Sequence, residues 1–141
     1  MEFIYRAKFE DDPDGGFLVT FADVPEAITH GETRKEAMSN AQEALGLALR
    51  GIVQDGRALP QPIASEGTPV AVDAEDAVKL ALIQAFMESD ISKSELARRL
   101  GKSENEARRI LDPDHRTKLG QMQEAMAALG KTLVVSVMEA A

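Results

Sequence analysis

The side chains with the clearest chemical use lie between Ser92 and Lys118. Laid out at roughly 100° per residue, Asn105, Arg108, Arg109 and Asp112 fall on one side of a short helix. Ala107, Ile110 and Leu111 fall on the other. A helix that enters a DNA groove needs such an apolar back and a front of long hydrogen-bonding side chains. Asn pairs bidentately with adenine, and Arg with guanine or a phosphate. Glu104, near the start of this helix, could accept from cytosine but repels phosphate. Arg98, Lys102, Ser103 and Arg116 flank the helix and suit contacts to the backbone, which fix register without reading sequence. The chemistry on offer is recognition of double-stranded DNA.

Catalysis finds little support. A metal-dependent nuclease converges carboxylates from different elements around one or two ions. Here Glu10, Asp11, Asp12 and Asp14 crowd a single turn, and the middle of the preceding strand supplies Arg6 and Lys8. The acidic turn reads as a solvated loop or an edge that attracts a basic partner. His30 and His115 are the only histidines, and neither has a metal-ligand constellation around it. His115, after Pro113, lies near the DNA face and suits a phosphate. No phosphate loop and no nucleophile elbow is present. The sequence therefore predicts no catalytic residue, no metal and no cofactor.

The elements that must hold these residues are marked by caps. Ser92-Lys93-Ser94-Glu95 and Ser103-Glu104-Asn105-Glu106 are two capping boxes, with Ile91 and Leu96 placed as a hydrophobic staple for the first. Helices are expected near 93–100 and 104–111. Gly101 sits in the short turn between them, where a left-handed exit is needed. Ala97, four residues earlier, lets the two helices cross closely. Together they read as a helix-turn-helix. Further helices are expected over 74–88 and 118–129. The first of these is so apolar that it must be covered on more than one side. Residues 132–138, Thr-Leu-Val-Val-Ser-Val-Met, read as a terminal strand. A lone strand is unstable, so its simplest partner is the same strand of another copy. That dimer would present two helix-turn-helix units to two half-sites roughly 34–36 Å apart.

The first half is different. Phe3, Tyr5, Ala7 and Phe9 alternate with polar neighbours, and so do Phe17, Val19 and Phe21. The Pro- and Gly-containing turn between them makes a hairpin. A third strand is expected near Ala27 to His30. Thr33-Arg34-Lys35-Glu36 is another capping box, opening a helix with an Ala-rich apolar stripe to Ile52. A loop with three prolines precedes a fourth strand at Val70-Ala71-Val72. The fold class is α+β, ββ(β)αβ, over residues 1–72, joined to an all-α helix-turn-helix domain with a terminal strand over 73–141.

Composition agrees. The chain is 44% hydrophobic and 28% charged, a globular balance. It has no cysteine, which removes disulfides and thiolate metal sites and fits a reducing cytoplasm. No secretory signal and no run long enough to span a bilayer is visible, so no membrane association is expected. The net charge of −8 disfavours nucleic acid for the chain as a whole. Residues 92–118, however, hold eight basic against five acidic side chains, a local +3. Salt screens charges beyond about 8–10 Å, so the local balance decides. A regulator sensing a small ligand is the alternative, but 4% aromatic content leaves little for an apolar pocket.

The run Gly15-Gly16-Phe17-Leu18-Val19-Thr20-Phe21-Ala22-Asp23-Val24-Pro25, then Thr29-His30-Gly31-Glu32-Thr33, then Asn40-Ala41-Gln42-Glu43-Ala44-Leu45, resembles the HicB antitoxin family. Ser94 to Gly101 and Leu129 to Val137 resemble its helix-turn-helix form. Glu26-Ala27 departs from the Gly-Cys of many members. The resemblance implies that the first domain is a degenerate ribonuclease-H-like fold without its active site. It also implies a HicA-type RNA-cleaving toxin as partner, autorepression through operator DNA, and assembly as a homodimer or tetramer. The toxin-contact residues Glu10, Asp11, Asp12 and Asp14 are an electrostatic expectation, since an acidic edge suits a basic partner.

Overall fold

A computed structural model describes residues 1–140, which divide into two compact units, Met1–Ala74 and Glu75–Ala140. In the first, alternation builds β1 (Ile4–Asp11), β2 (Phe17–Phe21) and β3 (Ile28–Gly31). Helix α1 (Arg34–Gln54) and strand β4 (Thr68–Ala71) complete it. The sheet is antiparallel throughout, in the order β3-β2-β1-β4. Pro69 lies in β4, an edge strand, where a missing N–H costs no internal ladder bond. The β1–β2 turn closes through the Asp12 N–H to the Gly16 carbonyl at 3.0 Å, with the Asp14 N–H donating to Asp12 Oδ1 at 2.9 Å.

Tyr5, Ala7, Val19 and Phe21 are buried on one side of the sheet. Helix α1 packs against β2, β3 and β4, burying Ala37, Ala41, Leu45, Leu49 and Ile52. At Gly31 a Cβ would lie 2.3 Å from the Ala37 backbone nitrogen, so only glycine lets β3 approach the helix this closely. Thr33 caps α1 through the Glu36 N–H at 3.1 Å. That cap contributes about 1 kcal/mol. Burial of Leu45, Leu49 and Ile52 contributes about 1.5–3 kcal/mol each, so packing dominates. Phe9 is only half-buried, and the Arg34 guanidinium covers its ring at 4.1 Å. The Pro-rich loop is tied down by Tyr5 Oη donating to the Pro60 carbonyl at 2.7 Å and by the Ala64 N–H donating to Asp23 at 2.8 Å. Burial, and then the Asp23 charge, raise the Tyr5 pKa.

The second unit is helical: α2 (Ala74–Ser89), α3 (Lys93–Leu100), α4 (Glu104–Ile110) and α5 (Leu119–Ala128). Its core joins Leu82 and Ala85 of α2, Leu96 of α3, Ile110 and Leu111, and Met122, Ala125 and Met126 of α5. The α+β first half and the helical second half are the expected fold class. One part differs. Residues 132–138, expected as a strand, form none in the single chain. Only Leu133 reaches the core's edge, while Val134, Val135, Val137 and Met138 stand exposed. A strand needs a ladder partner, and these residues have none among the described residues.

Candidate nucleic-acid interface

Helices α3 and α4 are joined by Gly101-Lys102-Ser103, and each begins at a serine cap. Ser92 Oγ accepts from the Glu95 N–H at 3.0 Å. Ser103 forms a complete capping box: its Oγ accepts from the Glu106 N–H, and the Glu106 carboxylate accepts from the Ser103 N–H, both at 3.2 Å. The expected boxes at Ser92 and Thr33 show only the hydroxyl half. At Ser92 the reason is visible, because the Glu95 carboxylate is taken by Arg98 at 2.6 and 2.8 Å and by Arg99 at 3.1 Å. Those two guanidiniums hold the Glu95 carboxyl down to about 2. Gly101 exits α3 at φ 65°, the left-handed conformation, and the Lys102 N–H donates to the Ala97 carbonyl at 3.0 Å. Ala97 is buried at this crossing.

Helix α4 has the two sides the sequence predicts, except that Asp112, expected on the front, lies beyond its Leu111 cap and is half-buried. Ala107, Ile110 and Leu111 are buried; Asn105, Arg108 and Arg109 are exposed. The basic residues divide into two groups. Arg98 is paired to Glu95, and Arg108 pairs with Glu104 at 2.7 Å. Arg116 forms a two-pronged pair with Glu75 at 2.9 and 3.0 Å. Lys102 and Arg109 form no ion pair among the described residues. Glu104 also accepts from Ser94 Oγ at 2.9 Å, so its carboxylate links the starts of α3 and α4. Its pKa is lowered by the Ser94 hydrogen bond and by Arg108. Lys102, Arg109, His115 and Gln121 line a cleft of about 140 Å³ with Glu106 and Ile110. That is below the ~300–1,000 Å³ of small-molecule sites.

In the other unit the expected toxin-facing acids are not all in the turn: Glu10 and Asp11 close β1, paired with Leu18 and Phe17 because the ladder runs on past the alternating apolar residues, and only Asp12 and Asp14 lie in the turn. Glu10 pairs with Lys8 at 2.9 Å, and Asp12 lies 3.8 Å from His30 Nε2. Asp11 and Asp14 are exposed. His30 Nε2 also hydrogen-bonds the Gly15 carbonyl at 2.9 Å, so it buttresses the hairpin turn. Among the described residues no cluster of His, Asp and Glu could hold a metal, and no helix is long and apolar enough to cross a membrane.

A profile of the HicB-like antitoxin of bacterial toxin-antitoxin systems matches residues 4–80. The chain belongs to the HicB-like antitoxin family. It is 42% identical over 131 residues to Antitoxin HicB of Escherichia coli, covering 92% of this chain and 95% of the relative. It is 40% identical to Antitoxin HicB 2 of Photorhabdus laumondii over 129 residues, 92% of each chain. Antitoxin HicB of Pseudomonas fluorescens is 35% identical over 138 residues, 96% of this chain and 94% of that one. The likeness to these antitoxins thus extends through the α3–α4 region.

Two residues at the candidate interface escaped the sequence reading. Gln121 enters the cleft from the first turn of α5. Lys79, in α2, is only 4% exposed. Its ammonium donates to the Ile110 carbonyl at 2.7 Å, the Thr117 hydroxyl at 2.7 Å and the Arg109 carbonyl at 3.4 Å. It therefore caps the C-terminal end of α4, where the helix dipole favours a cation. Burial lowers its pKa to about 8, opposed by the Asp112 charge. A lone lysine in the run Ala77-Val78-Lys79-Leu80-Ala81 was the available signal.

Proposed function

We propose that this chain is the antitoxin of a type II pair that captures a HicA-type RNA-cleaving toxin through residues 1–72 and represses its own operon through residues 73–141. Family membership supports the antitoxin role. The observation that carries the DNA half is α4, with a buried apolar back, an exposed Asn105-Arg108-Arg109 front, and Lys102 and Arg109 in no ion pair among the described residues. In this reading Asn105 faces bases, and Arg98, Lys102, Ser103, Arg108, Arg109 and Arg116 hold the backbone. The paired arginines exchange an exposed carboxylate for a phosphate, which costs little because exposed ion pairs are worth about 0–1 kcal/mol. Glu104 tunes this front. The acidic hairpin end, Glu10, Asp11, Asp12 and Asp14, attracts the basic toxin. The chain itself is not an enzyme, and both targets place it in the cytoplasm.

Residues 132–138 complete the assembly by pairing with the same segment of a second copy, as homodimer or as tetramer. Exposed Val134, Val135 and Val137 support this, since a second strand would cover them. Size-exclusion chromatography with light scattering of the full chain and of Val135→Lys tests it. A dimer or tetramer that falls to monomer in the variant is expected; a monomeric parent excludes it. For the toxin, calorimetric titration with the small basic protein encoded beside this gene is the test. Saturable binding that abolishes RNA cleavage is expected, and unaltered cleavage contradicts the reading.

A further inference from the structure

Lys79 does more than close a helix end. Its ammonium can only donate, so Thr117 Oγ1 must accept from it at 2.7 Å. The Thr117 hydroxyl proton is then available to another acceptor. Thr117 is itself 8% exposed, and His115 Nδ1 lies 3.3 Å from its oxygen. With Nδ1 accepting, a neutral His115 ring carries its proton on Nε2. In that arrangement the buried network leaves Nε2 as the donor of an exposed imidazole.

His115 lines the cleft that Lys102, Arg109 and Gln121 also line. Lys102 and Arg109 bring positive charge without an internal carboxylate partner among the described residues. Gln121 brings an amide. Glu106 is the one acid at the rim, and its carboxylate is occupied by the Ser103 N–H. At about 140 Å³ the cleft is too small for the ~300–1,000 Å³ of a small-molecule site and is of a scale that suits one oxyanion. We propose that this cleft is a phosphate seat, filled by one backbone phosphate of duplex DNA, with His115 set as its Nε2–H donor by the relay Lys79–Thr117–His115. Lys79 and Thr117 are positioning residues; Lys102, Arg109, His115 and Gln121 make the contact. The proposal rests on the DNA-binding reading and deepens it.

The full chain is titrated with labelled DNA from upstream of its gene, alongside His115→Ala, Thr117→Val, the double variant, and Lys102→Ala. His115→Ala and Thr117→Val each weaken binding about three- to tenfold, the scale of one neutral hydrogen bond. The double variant is no weaker than His115→Ala. Thr117→Val leaves the salt slope unchanged, because it removes no charge, whereas Lys102→Ala flattens it by about 0.9. Thr117→Ser, which keeps the hydroxyl, restores the parent affinity and guards against a folding defect. Parent-like affinity in both His115→Ala and Thr117→Val overturns the seat while leaving DNA binding intact. Additive losses in the double variant overturn the relay. A parent with no sequence-selective binding overturns the DNA reading and the seat with it.

Nitrogen NMR of free protein reads the tautomer directly. Nε2–H is expected, and a dominant Nδ1–H form contradicts the relay. Inorganic phosphate separates the two sources of the group. Non-saturating shifts at His115 fit a seat completed by duplex DNA; saturable phosphate binding, with DNA affinity indifferent to His115, contradicts the assignment to DNA.

Discussion

The two ends of α4 are held by charges of opposite sign in opposite surroundings. At the N-terminal end the exposed Glu104 carboxylate accepts from Ser94 and Arg108. At the C-terminal end the buried Lys79 ammonium donates to two backbone carbonyls and the Thr117 hydroxyl. Both signs suit the helix dipole. Their consequences differ because solvent differs. Arg108 loses little on leaving Glu104, since water re-solvates both partners. Lys79 has no such alternative, and its acceptors would be left unpaired. One end of the helix is thus free to change partners on meeting a ligand, and the other fixes where the helix lies.

The sharpest way to break this contrast is Lys79→Met. Unpaired acceptors cost about 1–3 kcal/mol, partly offset because the ammonium is no longer desolvated. Chemical denaturation should show a net loss in that range at pH 7, and parent-like stability would mean that the cap is dispensable. The contrast also has a pH signature. The folded-state pKa of Lys79 is lowered, so between about pH 8 and its ordinary value of 10.5 the unfolded chain binds more protons. Its contribution to stability therefore rises with pH through that window. The margin of the parent over Lys79→Met should widen from pH 8 to 10; a narrowing margin would contradict the buried, charged assignment.

Asn105→Ala is the next largest effect. It should leave melting unchanged and relax sequence preference by about 1–3 kcal/mol at one base pair. A uniform loss across sequences would move Asn105 to the backbone class. Ser103→Ala removes the complete capping box and should cost about 1 kcal/mol in denaturation. Glu104→Gln should be the smallest in stability, with no measurable change in melting temperature. It should tighten DNA binding severalfold by releasing Arg108 and removing a repelled charge. Weaker, less selective binding would instead show that Glu104 reads a base.

Most elements were legible because their signals are local. Alternation marked Tyr5, Ala7, Val19 and Phe21, and the serine caps with Gly101 placed α3 and α4 to within a residue. The front of α4 was legible too, since its periodicity depends on neighbours only. The partners of its charges were not. Arg116 meets Glu75 and Lys79 meets Thr117 across 41 and 38 residues, distances that no pattern in the sequence encodes. The Glu95 box failed for a related reason, since Arg98 and Arg99 compete for the same carboxylate. The segment 132–138 has a strand's composition but no ladder partner among the described residues, so sequence preference alone could not fix its state.

The central claim is that α4 reads operator DNA from a frame fixed by Lys79. Fluorescence-anisotropy titration with DNA from upstream of the gene, at two salt concentrations, tests it most directly. The account predicts sequence-selective binding that weakens steeply with salt, and a shallower salt slope in Arg109→Ala, by about 0.9 for the one phosphate-range cation removed. Binding no stronger to the upstream DNA than to unrelated duplex, or an Arg109→Ala curve that superimposes on the parent, would contradict it.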